Sequence, residues 1–178
     1  MSKNMSDPLL AIATVIVVLG QILMIVIGAL AVLAIPATMI FRDVFLSELR
    51  SEFPNYALTY PTATVGALLL CVIALVAMFW LFLRKLRQII DTVGAGDPFV
   101  PANAKRLTAM AWLMLGIQLL SLPAAGLALY FAKSLGEKAG TIDASFDLSG
   151  VVLVVTLFIL ARVFRHGAAM REDLEGTV

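Results

Sequence analysis

Charge is scarce in this 178-residue chain: 14% of its residues are Asp, Glu, Lys or Arg, and 61% are hydrophobic. Soluble domains hold roughly a quarter charged and under about half apolar residues. A water-soluble globular protein is excluded, and the bilayer becomes the solvent. The length suits one membrane domain with no room for an additional soluble module. A single cysteine, Cys71, sits within an apolar run, which excludes an intrachain disulfide and a thiol pair for redox or metal work. It reads as a small packing residue. The only histidine, His166, stands beside Arg165 with no second His, Cys or acidic cluster at zinc-like spacing, so no metal site is expected. No ionisable residue lies deep inside an apolar run, which argues against proton relays, ion-coupled carriers and voltage sensors. The sequence offers no nucleophile, base or metal set, and neither an enzyme nor a cofactor is expected. The GAGDPF turn at Gly94 to Phe99 is glycine-rich, yet it follows an amphipathic helix instead of a strand and lacks dinucleotide or Walker spacing.

What is present is a set of long apolar runs. Between Asp7 and Arg42 lie thirty-four uncharged residues, more than the ~20 that a spanning helix needs. A signal peptide has a far shorter apolar core, so this run reads as an anchor, spanning about Leu10 to Ile35, with Pro36 expected to end or bend it. The stretch from Phe41 to Tyr60 mixes charges with Phe45, Phe53, Tyr56 and Tyr60 and suits a surface loop or an interfacial helix. Pro61 opens a second span to Leu83. A third runs from Leu107 to Phe131, with Pro123 expected to kink it. A fourth runs from Leu148 to Phe164, capped by Asp147, with Arg162 snorkelling from its last turn. The expected fold is an all-α membrane protein with four transmembrane helices in a single domain.

Residues 84–106 are not explained by the bilayer. Leu83, Leu86, Ile89 or Ile90, and Val93 recur at the spacing of one helical face, so the second helix continues about two turns past its span. Gly94 and Gly96 then release the backbone, Asp97 and Pro98 turn it, and Pro101 starts a new helix. This cytoplasmic hairpin carries Arg84, Lys85, Arg87, Lys105 and Arg106. With Lys3, Arg162, Arg165 and Arg171 they make nine of the thirteen basic residues on one side of the four spans; Arg42, Arg50, Lys133 and Lys138 lie on the other. The positive-inside rule places both termini and the hairpin in the cytoplasm.

Two polar constellations are candidates for function. Gln21 and Gln118 lie at similar depth in the first and third spans. They are candidates for an intramembrane hydrogen bond of about 0.6 kcal/mol, which would serve as polar glue between helices, or for a patch that recognises a ligand. Gly20, Gly28, Gly66, Gly116 and Gly126 supply close-packing points in the same helices. The basic hairpin is first a topology signal that touches anionic membrane lipid. The sharper reading is a docking surface formed with the acidic tail residues Glu172, Asp173 and Glu175, which Arg84, Lys85 and Arg87 could pair. The tail itself, from Arg165 to Val178, is expected to be helical only at its start.

GDPFVPANAKRL at Gly96 to Leu107 and FRHGAAMREDLEGTV at Phe164 to Val178 resemble a bacterial family of uncharacterised membrane proteins, domain of unknown function 2975. The residues that carry the resemblance are Gly96, Pro98, Phe99, Asn103, Arg106 and Leu107, then Phe164, Gly167, Glu172, Asp173, Thr177 and Val178. Val100 departs from the family's frequent hydroxyl residue, a natural helix cap. The resemblance covers the whole chain in layout and implies four spans, a bacterial inner membrane and an association with small helix-turn-helix regulators. The family offers no catalytic residues to carry across. The candidate docking residues are therefore Arg84, Lys85, Arg87, Asp97, Pro98, Phe99, Asn103, Arg106, Glu172, Asp173 and Glu175. The leading expectation is an interaction protein holding a cytosolic helix-turn-helix regulator, without direct nucleic-acid binding of its own. The alternative is a small channel or carrier for an uncharged or lipophilic solute, built as a homo-oligomer, with Gln21, Gln118, Ser121 or Thr156 lining its path.

Overall fold

A computed structural model describes residues 8–52, 62–134 and 148–175. Among the described residues five α-helices follow one another: α1 Pro8–Ile40, α2 Arg42–Glu52, α3 Thr62–Gly94, α4 Pro101–Ser134 and α5 Leu148–Glu175. No strand occurs among the described residues. α1, α3, α4 and α5 are each long and apolar enough to cross a membrane, which establishes the four-helix membrane architecture. At 1.5 Å per residue a helix of 33 residues, such as α3, is ~50 Å long, so it outreaches a hydrocarbon core of ~30 Å.

Of the two outcomes expected at Pro36, the helix does not end there: α1 continues to Ile40, with the Val32 carbonyl losing its N–H partner. Two local features depart from expectation. α3 goes on for some three turns beyond Leu83, one more than its apolar spacing implied. The tail after Phe164 is helical as far as Glu175 and not only at its start. Its docking face explains this: Leu157, Ala161 and Ala168 are buried, and Phe164 packs beside them. That is a helical stripe continuing straight into the charged tail. The charged stretch after Phe41 is helical as α2 up to Glu52, and in it Ser47 and Ser51 donate to the Val44 and Glu48 carbonyls. Phe53, Tyr56, Tyr60, Pro61, Asp147, Thr177 and Val178 lie outside the described residues.

The chain divides into two compact units. One comprises Met1–Ile25, Met78–Gln118 and Asp147–Val178; the other comprises Val26–Ala77 and Leu119–Phe146. The first holds the core, in which Ile89, Leu107, Met110, Ala111, Leu157 and Ala161 cluster with Phe82, Leu86, Val93, Met114, Phe158 and Phe164 packed around them. Gly20 lets Leu83 approach α1, where an added Cβ would meet Leu83 Cδ1 at 3.1 Å. Gly116 lies under the flexible end of Met78. In the second unit Gly28 faces Val76, but among the described residues a Cβ added at Gly66 or Gly126 has no neighbour within 4 Å. The last two therefore correct the expectation that all five glycines serve close packing.

Candidate functional site

The hairpin is shaped by the way α3 ends. Gly96 has φ +82°, the left-handed conformation that side chains resist. Its N–H bonds the Val93 carbonyl at 3.0 Å, and the Asp97 N–H reaches back to the Thr92 carbonyl at 3.0 Å. This double closure is the Schellman end of a helix, and Pro98 follows where the helix cannot resume. Of the two glycines in the turn, Gly96 is the one that releases the backbone, whereas Gly94 still belongs to α3. Pro101 then opens α4 with the one residue that has no N–H to orphan.

Asn103 locks this turn from inside. It is completely buried, and every hydrogen-bonding group of its amide is used. Nδ2 donates to Thr92 Oγ1 and to the Pro98 carbonyl, both at 2.8 Å, while Oδ1 accepts from Arg106 Nη1 at 2.7 Å. Thr92 Oγ1 in turn donates to the Ile89 carbonyl at 2.8 Å. Arg106 Nη1 also donates to the Gln88 carbonyl at 3.1 Å. The end of α3, the turn and the start of α4 therefore share one satisfied polar network. A buried amide without those partners would cost about 1–3 kcal/mol, so the network specifies a single hairpin geometry. Asn103 and Arg106 were expected on a docking surface; Asn103 is instead buried within the hairpin, and the half-buried Arg106 is engaged in its hydrogen bonds.

The turn docks on α5 through Phe99. Its ring lies 5.3 Å from that of Phe164, and it occupies the notch at Gly167, where an added Cβ would come within 2.8 Å of Phe99 Cδ1. Asp97 and Arg171 complete the contact as an ion pair. This charged link between hairpin and tail is one the sequence did not single out, with the acid in the turn and the base in the tail. Arg84 lies over the Trp80 ring, 5.7 Å from its centroid. Arg84, Arg87, Glu172 and Asp173 are exposed, and Lys85 is half-buried; the side chain of Glu175 is outside the description. Of the two glutamines, Gln118 fills the space left by the missing side chain of Gly150 on α5, and Gln21 is half-buried on α1.

Seven of the residues that carried the sequence resemblance come together. Gly96, Phe99, Asn103, Arg106 and Leu107 shape the hairpin, while Phe164 and Gly167 receive it. Four spanning helices define the chain as a multi-pass membrane protein. Residues 44–178 match the family described as Protein of unknown function (DUF2975), and the chain belongs to that family. α1 precedes the matched stretch. No curated protein and no solved structure matches the chain.

Two features of this site escaped the sequence. A lone Asn in a basic segment reads as surface, and only the convergence of Thr92, Pro98 and Arg106 encloses it. Gly150, early in the fourth apolar run, and Gly167, just past its end, are close-packing glycines that Gln118 and Phe99 fill. Gly167 could have been found from its place on the stripe of Ala161, Phe164 and Ala168.

Proposed function

We propose that this is a protein of the bacterial inner membrane, with both termini and the hairpin in the cytoplasm, that binds a soluble protein there and catalyses no reaction. The observation that supports this is the interlocking of hairpin and tail. Phe99, Phe164, Gly167 and the Asp97–Arg171 pair join two chain segments into one preformed surface. A preformed surface avoids the ordering cost that two separate flexible segments would meet on binding. Its docking groups are Arg84, Lys85 and Arg87 at the end of α3, with Glu172, Asp173 and Glu175 on the tail. Asp97 and Phe99 hold the two parts together, while Pro98, Asn103 and Arg106 keep the hairpin rigid. The partner suggested by the family resemblance is a small helix-turn-helix regulator.

The test uses the full-length protein in mild detergent and a purified small helix-turn-helix regulator, chosen from the genes that flank its own. The wild type is expected to retain the regulator, and R84E/K85E/R87E to lose it, while reporter fusions at the Gly96 turn stay cytoplasmic in both. Equal retention by the charge-reversed chain rejects the docking surface. A periplasmic signal at the turn rejects the orientation.

A further inference from the structure

Beside the hairpin, α4 and α5 enclose a second feature that the docking surface does not use. A groove of about 580 Å³ is lined by Thr108 of α4 and by Phe158, Ala161, Arg162, Arg165, His166 and Ala169 of α5. Its size falls within the range of small-molecule sites. The α5 residues recur at three- and four-residue spacing, so they form one helical face. The groove is graded along its length. At one end the Phe158 ring meets Trp112 edge-on, 5.5 Å between centroids, and Trp112 is 61% exposed. One and two turns further on stand Arg162, Arg165 and His166, all exposed. Among the described residues none of these three is held by an ion pair, in contrast to Arg171, which Asp97 engages. The Thr108 hydroxyl donates to the Ala104 carbonyl at 2.9 Å, so the cationic groups are the donors left for a ligand. Glu172 and Asp173, the nearest acids along α5, come a turn beyond Ala169 and do not line the groove.

We infer that this groove binds the headgroup of an anionic phospholipid, with the phosphate between Arg162 and Arg165 and the first acyl carbons along Phe158 and Trp112. Guanidinium groups present paired N–H donors that match phosphate oxygens. The gradient selects a lipid over a free phosphate. Phe158 and Arg165 are seven residues apart, which is about 10 Å along a helix and comparable to the depth over which a lipid passes from phosphate to hydrocarbon. An inorganic anion would have no use for the aromatic end. The inference is independent of any soluble partner, because it requires only that this end of α4 and α5 meets the membrane interface.

Native mass spectrometry of the purified full-length protein tests it, with dioleoyl phosphatidylglycerol and dioleoyl phosphatidylethanolamine added in equal amounts. Phosphatidylglycerol is expected to bind at least about tenfold more tightly, as the two lipids share their acyl chains and differ in headgroup charge. R162Q/R165Q is expected to lose about thirtyfold in that affinity, roughly fivefold for each charge. R162K/R165K, which keeps the charge and loses the paired donors, should bind more tightly than R162Q/R165Q and more weakly than wild type, and so separates lost charge from lost fold. R42Q/K133Q removes two charges from the other unit and should stay within about threefold of wild type. Soluble glycerol 1-phosphate should not displace the lipid. Equal binding of the two lipids, an R162Q/R165Q variant that binds like wild type, an equal fall in R42Q/K133Q, or displacement by glycerol 1-phosphate would each overturn the assignment.

Discussion

The two units of this chain are held by different physics. In the unit containing the hairpin, buried apolar side chains run from Val17 through Leu83, Ile89 and Leu107 to Ala168, and a fully satisfied amide lies among them. In the other, Ala31 is the only buried apolar side chain among the described residues, while Leu30, Val32, Leu33, Leu70 and Leu122 are all more than half exposed. Lipid tails are as apolar as leucine, so burial of such side chains gains nothing in the hydrocarbon and helices there rely on shape and polar contacts. Where helix ends emerge into water, removal of apolar surface again becomes favourable. A core gathered around the hairpin, with lipid-facing leucines elsewhere, is what that difference in solvent dictates.

The contrast can be broken most forcefully at Asn103. In N103D the carboxylate loses both donors to Thr92 and Pro98 and sets a charge beside the Pro98 carbonyl, so a loss of about 3 kcal/mol is expected. Thermal unfolding in detergent, followed by tryptophan fluorescence, measures it, and an unchanged midpoint would show that the network does not hold the hairpin. Next comes a matched pair of glycines. G167V drives a side chain into Phe99 and should cost about 2 kcal/mol by overpacking, whereas G126V, with no neighbour within 4 Å, should stay within about 0.5 kcal/mol. If the two lose equally, the units do not differ as described. G96A forces an L-residue into the left-handed region and should cost about 1 kcal/mol, read from the same unfolding curves. The smallest effect belongs to the Asp97–Arg171 pair, whose side chains are 35% and 48% exposed. D97N should cost at most about 0.5 kcal/mol, and less in high salt.

Much of this was legible from the amino acids because hydropathy reports directly on the solvent that each helix must meet. The apolar runs gave the four spans, and the spacing of Leu83, Leu86, Ile89 and Val93 gave the protruding end of α3. Position along a chain says less about which segments meet. The tail looked like a polar end because its docking stripe uses small residues, Ala161, Gly167 and Ala168, which contribute little hydropathy yet allow close approach. Asn103 was read as surface for a related reason: its enclosure depends on partners up to eleven residues away, and on a turn whose shape is set by Gly96. The Gln118 side chain lies on Gly150, a neighbour on α5 that no depth count along the spans could specify.

The unbroken course of α5 has one further consequence. From Leu148 to Glu175 the helix has no interruption, so the segment gripped by Phe99 and the segment that flanks Trp112 belong to a single stiff lever about 40 Å long. A tilt imposed at the charged end is carried to the apolar end without a hinge to absorb it, and thickening or thinning of the surrounding lipid is carried the other way.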